Sequence, residues 1–202
     1  MMEHNGWWFP DHDVECYKAV FAELYKIDEC LKYVTGRQVC VQAGGNVGLF
    51  PQSLAQAFEC VWTFEPDPQN FECMIRNLYG LENVEMRKYA LGDEERRVSL
   101  DFVEGNCGAH SIHGEGDIPM VTIDSLELEA CDFIQLDIEG LEYHALGGGL
   151  DTIQKFKPVI LVEDKGLGEK YGIKEGEIGY LLEPFGYKKI DRLRRDDLYC
   201  VV

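Results

Sequence analysis

The chain has 202 residues, of which 46% are hydrophobic and 28% charged, a balance that supports a buried core and excludes a disordered chain. Nineteen Lys and Arg stand against 37 Asp and Glu, a net charge of −18. Such a field repels phosphate backbones and anionic lipid, so neither nucleic acid nor a membrane surface is an expected partner.

The opening MMEHNGWWFPDHD has no basic segment leading into an apolar run, and no stretch approaches the roughly 18 apolar residues of a membrane span. A cytoplasmic protein is the expectation. Trp7, Trp8 and Phe9 form an aromatic cluster, read as packing on the sheet ahead of stacking on a sugar or adenine. Val14, Tyr17, Phe21, Leu24, Ile27, Leu31 and Val34 recur at steps of three and four and predict one long helix closed by Gly36.

A strand from Val39 then enters the glycine-rich AGGNVG, and Leu49 to Phe58 reads as the following helix. CVWTFE (a strand), a Pro-bounded helix from Pro68 to about Leu78 and a strand at Val84 to Lys88 come next. Residues 96–103 alternate as a strand and lead to EGNCGAHSIHGEGD, read as a glycine-rich loop. CDFIQLD is a near-continuous apolar run, as for a strand buried on both faces. A helix over about 141–156, the strand PVILVE, a helix near 175–185 and a hairpin of YKKIDRL with DLYCVV complete the chain.

Strands alternating with helices predict an α/β protein with a mostly parallel sheet. No repeat or linker divides it, so residues 1–202 are expected to form a single domain, with 1–36 packed on it. Eight cysteines without a CxxC or Cys/His quartet read as reduced thiols, not as a zinc site or a disulfide framework.

Gly44, Gly45 and Gly48 lie between a first strand and its helix, where a missing Cβ lets the backbone approach a ligand. Ala43 takes the first glycine position of the dinucleotide fingerprint. Glu65 follows Gly44 by 21 residues, the offset of a carboxylate that accepts hydrogen bonds from both ribose hydroxyls. Such a carboxylate, facing a cleft, is expected to make few packing contacts. Both a nicotinamide cofactor and S-adenosylmethionine fit these two features. The missing first glycine favours the latter, which has no pyrophosphate.

The motifs VQAGGNVG, TFEPDP, YALGD at 89–93, VTIDSL at 121–126 and QLDIEGLEYHALGG, in that order, resemble the FkbM family of S-adenosylmethionine-dependent methyltransferases. The resemblance covers about residues 38–163, and LDIEGLE is its most specific part. It implies a Rossmann-like class I methyltransferase fold: a mostly parallel seven-stranded sheet with a C-terminal antiparallel hairpin and helices on both faces. It also implies S-adenosylmethionine as cofactor, with S-adenosylhomocysteine as product. Gln42, Gly44, Gly45, Asn46, Gly48, Glu65, Pro66, Ala90, Leu91 and Asp137 are then the expected cofactor-binding residues. Two positions depart from the family's D-x-G-A-N-x-G. Gln42 replaces an acidic residue expected to help hold the cofactor's ammonium group, and Gly45 replaces alanine.

Ligands of open α/β sheets bind beyond the carboxyl ends of the strands, where Asp137, Glu139, Glu163 and Asp164 fall. Asp137 is the candidate beside the methionine portion, and Glu139 the candidate for a base or a partner of acceptor hydroxyls. The four carboxylates offer hard oxygen ligands, yet their spacing does not require a metal and none is expected. His110 is a further candidate base, with His113, if their loop folds over the cleft; His144 is read as exposed. The resemblance implies O-methylation of a small-molecule or carbohydrate acceptor. The alternatives are a cofactor-binding module that has lost catalysis and a nicotinamide-dependent oxidoreductase. A nicotinamide enzyme leaves LDIEGLE unexplained.

Overall fold

The computed structural model describes residues 1–202. It begins with a short hairpin, β1 (Met2–His4) and β2 (Trp7–Phe9), followed by helices α1 (Cys16–Ala19) and α2 (Tyr25–Leu31). Then come β3 (Val39–Ala43), α3 (Leu49–Ala55), β4 (Cys60–Phe64), α4 (Pro68–Asn77), β5 (Val84–Arg87), β6 (Ala90–Leu91), β7 (Arg96–Asp101) and β8 (Ser111–Val121). The remainder is β9 (Phe133–Leu136), α5 (Glu142–Gly147), α6 (Leu150–Phe156), β10 (Val159–Glu163), α7 (Glu177–Leu182), β11 (Tyr187–Leu193) and β12 (Asp196–Val201). No helix is long and apolar enough to cross a membrane.

Seven strands form one sheet in the order β11-β12-β10-β9-β3-β4-β5. The five from β10 to β5 are parallel, and β12 enters antiparallel beside β10. Alternation along each strand feeds two cores. Val41, Ile134, Ile160 and Val162 pack under α5, α6 and α7. Cys40, Val61, Phe133 and Leu161 face α2, α3 and α4. Strand order reverses beside β3, which opens a crevice at the carboxyl ends of β3, β4 and β9.

Three expectations change. The helix predicted over Val14–Val34 is broken by a 3-10 turn at Val20–Glu23. Val20 and Phe21 pack against the cluster around Phe9, whereas Ile27 and Cys30 enter the sheet core. The tighter turn re-phases the chain so that each stripe meets its own cluster. The helix over 141–156 is split at Gly148, where a Cβ would stand 2.2 Å from the Gly92 carbonyl oxygen. Half of the glycine-rich loop is strand: β8 pairs antiparallel with β7, Asp101 opposite Ser111 and Ser99 opposite His113. Gly116 reads as a loop residue in the sequence but answers a close approach, since a Cβ there would lie 2.1 Å from Ser99 Oγ. All eight cysteines are free thiols.

Candidate functional site

Two turns meet at the floor of the crevice. Gly44 has φ +83°, and a Cβ on it would stand 1.9 Å from the Asp137 carbonyl oxygen. Its glycine is therefore set by contact between the loop after β3 and the end of β9. Glu65, one residue past β4, accepts from the Asn46 backbone N–H at 2.6 Å and from the Asp67 N–H at 2.8 Å. The carboxylate is 5% exposed, which corrects the expectation of few contacts. Burial pushes its pKa up to about 7 against the pull of those two N–H donors.

Asp67 caps α4, its Oδ1 accepting from Gln69 N and Asn70 N at 2.8 Å each, with Pro68 in the first turn. Its Oδ2 lies 3.5 Å from His110 Nδ1. Burial opposes charge on that ring, but the Asp67 carboxylate holds its pKa above the ordinary histidine value. His110 thus sits by Glu65, two strands from Asp137 and roughly 10 Å off at the usual strand spacing. His113 is on β8, half exposed, 3.0 Å from Asp101. His144 pairs with Asp93 at 2.7 Å and is only partly exposed.

After β9 the chain turns sharply through Glu139 (φ +55°) and Gly140 (φ +105°). Glu142 shapes this turn: it is buried, and its Oε1 accepts from the N–H groups of Ile138 at 2.9 Å and Gly140 at 3.1 Å. Burial raises its pKa to about 7. Asp137 is raised well above the carboxylate range by burial and then by the Glu163 charge. Lys165 is the neutralising cation, 3.3 Å from Glu139 and 2.6 Å from Glu163. Asp164 turns away to accept from Gly176 N at 2.7 Å, so the four strand-end carboxylates do not converge on one point.

These groups line one solvent-open cleft at the carboxyl ends of β3, β4 and β9. Gly44, Gly45, Asn46, Glu65, Pro66, Ala90, Leu91, Asp137, Glu139 and His110 all reach it. Gln42 and Gly48 do not. Gln42 points to the opposite side of β3, fully buried, accepting from the Thr63 hydroxyl at 2.5 Å with its own amide nitrogen unpartnered. A methyl group at Gly45 would stand 2.8 Å from that same Thr63 oxygen. The two departures from the motif are thus neighbours in space. Gly48 (φ +101°) packs against Leu78 and Met74 and precedes α3 as its N-cap.

The sequence reading missed Tyr89, Asn70 and Cys107 in the lining, and Lys165 beside it. Lys165 had one available signal, its place directly after Glu163 and Asp164 at a strand end. Trp7 and Trp8 stay outside the cleft; Trp8 lies under Arg76 at 3.4 Å, and Phe9 is fully buried.

A seven-stranded sheet in this order, with a glycine loop and an acidic strand end around one cleft, is the class I methyltransferase fold. The chain belongs to the methyltransferase FkbM domain family, whose model matches residues 42–189. Among solved structures it is similar to the FkbM methyltransferase of Methylobacillus flagellatus, at 21% identity and a TM-score of 0.52 over 81% of this chain; it spans 43% of that protein's length. It is also similar to precorrin 8w decarboxylase of Methanobacterium thermoautotrophicum (18%, 0.52, covering 96% of this chain and 100% of that one). A third likeness is to an S-adenosylmethionine-dependent methyltransferase of Aquifex aeolicus (14%, 0.51, 91% and 94%). At these identities the likeness is one of fold. No curated protein matches the sequence.

Proposed function

We propose that the protein transfers a methyl group from S-adenosylmethionine to a hydroxyl of a sugar or a glycosylated small molecule. The observation that carries the donor is Glu65: both carboxylate oxygens already hold one backbone N–H, and each keeps a lone pair at the edge of the cleft for a ribose hydroxyl. The donor supplies an electrophilic methyl group on a sulfonium when bound. Asp137 lies in the cleft where the cationic methionine portion belongs, and a cation there offsets the burial that keeps this carboxyl protonated. Glu139, held by Lys165, is the base for an acceptor hydroxyl, which must be aligned in line with the methyl group and lose its proton. His110 belongs to the ribose end. The sugar acceptor is supported by the family resemblance, and an acidic rim disfavours anionic acceptors.

Calorimetric titration with S-adenosylhomocysteine tests the donor; no binding at millimolar ligand sinks the reading. Incubation with labelled donor and a panel of sugars and glycosides tests the acceptor. Gln42, one of the residues that motivates the reading of a degenerate binding module, does not reach the cleft; methyl transfer to any acceptor in the panel excludes that reading.

A further inference from the structure

Cys16 and Cys107 come from segments 91 positions apart and bring their Sγ atoms within 4.8 Å of each other. The side-chain amide of Asn46 touches both, Nδ2 at 3.4 Å from Cys16 Sγ and Oδ1 at 3.5 Å from Cys107 Sγ. Cys107 lies on the connection between β7 and β8 that walls the cleft, and Asn46 is the residue whose N–H holds Glu65. The segment around Cys107 is already tied to the N-terminal region: Cys107 N donates to Asp13 Oδ1 at 3.2 Å, and Val14 N to the Gly105 carbonyl at 2.9 Å. Asp13 also accepts from Cys16 N and Tyr17 N, so its carboxylate has a capping role that leaves the thiol pair unexplained. The two thiols are unequal. Cys107 is 1% exposed, whereas Cys16 is half-buried as a residue. Contact with Cys16, and then burial, keeps Cys107 protonated above the ordinary thiol range.

We propose that Cys16 and Cys107 are a reversible redox modification site, oxidised to a disulfide by a low-molecular-weight disulfide such as oxidised glutathione, that fastens the cleft wall to α1. The Cys16 thiolate attacks one sulfur of the oxidant, forming a mixed disulfide and releasing one glutathione thiolate. Cys107 then attacks the Cys16 sulfur, closing the protein disulfide and releasing the second glutathione, which takes the Cys107 proton. Two protein thiols are oxidised and one small disulfide is reduced. Fastening the wall restrains the connection that carries Cys107 and His110 in the cleft lining, and with it the exchange of ligand beside that wall. This consequence rests on the proposed donor site; formation of the disulfide does not.

The test is to treat the folded protein with oxidised glutathione, alkylate it, digest it and map it by mass spectrometry. A Cys16–Cys107 linked peptide that disappears with dithiothreitol is expected, and the Cys107→Ser variant should stall as a glutathione adduct on Cys16. Wild-type protein that retains both thiols, links another pair, or holds Cd²⁺ stoichiometrically on these thiols while resisting oxidation overturns the proposal. Release of S-adenosylhomocysteine, followed by stopped flow, should slow measurably on oxidation. Linkage without slowing refutes the gating while leaving the donor site intact, and absence of any S-adenosylhomocysteine binding refutes the donor reading and not the disulfide.

Discussion

The Glu65 carboxylate and the Asn46 backbone N–H, 2.6 Å apart, tie the end of β4 to the glycine loop after β3. One side chain therefore shapes the loop and presents acceptors to a ligand. Glu65→Ala removes the acceptor for a buried N–H group, that of Asp67, and a part-buried one, that of Asn46. Stability should fall by about 1–3 kcal/mol for each donor left without water. S-adenosylhomocysteine affinity should fall about tenfold to a thousandfold, from two charge-assisted hydrogen bonds of roughly 1.5–3 kcal/mol partly recovered by solvent. Thermal denaturation and calorimetry measure the two effects. Unchanged affinity in a folded Glu65→Ala variant would remove adenosine from this end of the cleft.

The elevated Glu65 pKa, about 7, gives the affinity a pH dependence with a definite sign. Ribose hydroxyls donate to the ionised form, so the bound carboxylate titrates below the free one. Affinity is complete above pH 7 and declines as pH falls below it, by up to roughly tenfold per unit for one linked proton. Asp137, also raised, acts in the same direction when a cation binds beside it. Titrations from pH 5 to 8 should show this decline, and Glu65→Gln should flatten it by about one proton. Affinity that rises on acidification contradicts both assignments.

Most of the layered architecture was legible because buried parallel strands announce themselves as apolar runs, as VCVQ, FIQL and VILV do. What stayed hidden depended on contacts between distant segments. Gly116 and Gly148 read as loop and helix residues, but their glycines answer Ser99 and the Gly92 carbonyl. The motif places Gln42 at the cofactor, and strand alternation turns it toward Thr63 instead. Alternation is visible in a sequence; which face the cleft occupies is not. His110 was legible as a candidate, but its position at the Asp67 end depends on how the β7–β8 connection closes.

Glu142 allows a test of the turn after β9 that does not need an acceptor. Its folded pKa, about 7, lies above the ordinary carboxyl value of 4.5, so the folded protein holds more protons than the unfolded chain between these values. A raised carboxyl contributes stability that is present below 4.5 and is lost as pH climbs to 7. Glu142→Gln keeps an acceptor oxygen for Ile138 and Gly140 and removes the titration. The melting temperature of the variant relative to the parent should therefore rise progressively from pH 4.5 to 7. A constant difference across that range would show that Glu142 is not raised.

Glu139 and Glu65 should separate turnover from binding. Glu139→Ala is expected to leave S-adenosylhomocysteine affinity within about threefold, since no hydrogen bond to the glycine loop is lost. Labelled methyl transfer to whichever acceptor the parent modifies should fall about a hundredfold, the middle of the usual contribution of a general base. Equal losses in affinity and turnover would move Glu139 to the donor side.

The N-terminal region is fastened to the sheet by a buried ion pair. Lys26, 5% exposed, reaches Asp196, 1% exposed, with both carboxylate oxygens at 2.9 Å, and meets Glu23 at 2.7 Å. Burial opposes its charge, but these two partners hold the Lys26 pKa above the ordinary value. Lys26→Met keeps the apolar stem and leaves Asp196 buried without its cation, at a cost of about 3–5 kcal/mol. Lys26→Met combined with Asp196→Leu removes both charges and should recover most of that loss, because a buried pair and an apolar replacement are often close in stability. Urea denaturation of the two variants measures the difference. If the double variant is no more stable than Lys26→Met alone, the penalty comes from lost packing of α2 on β12 and not from the orphaned carboxylate.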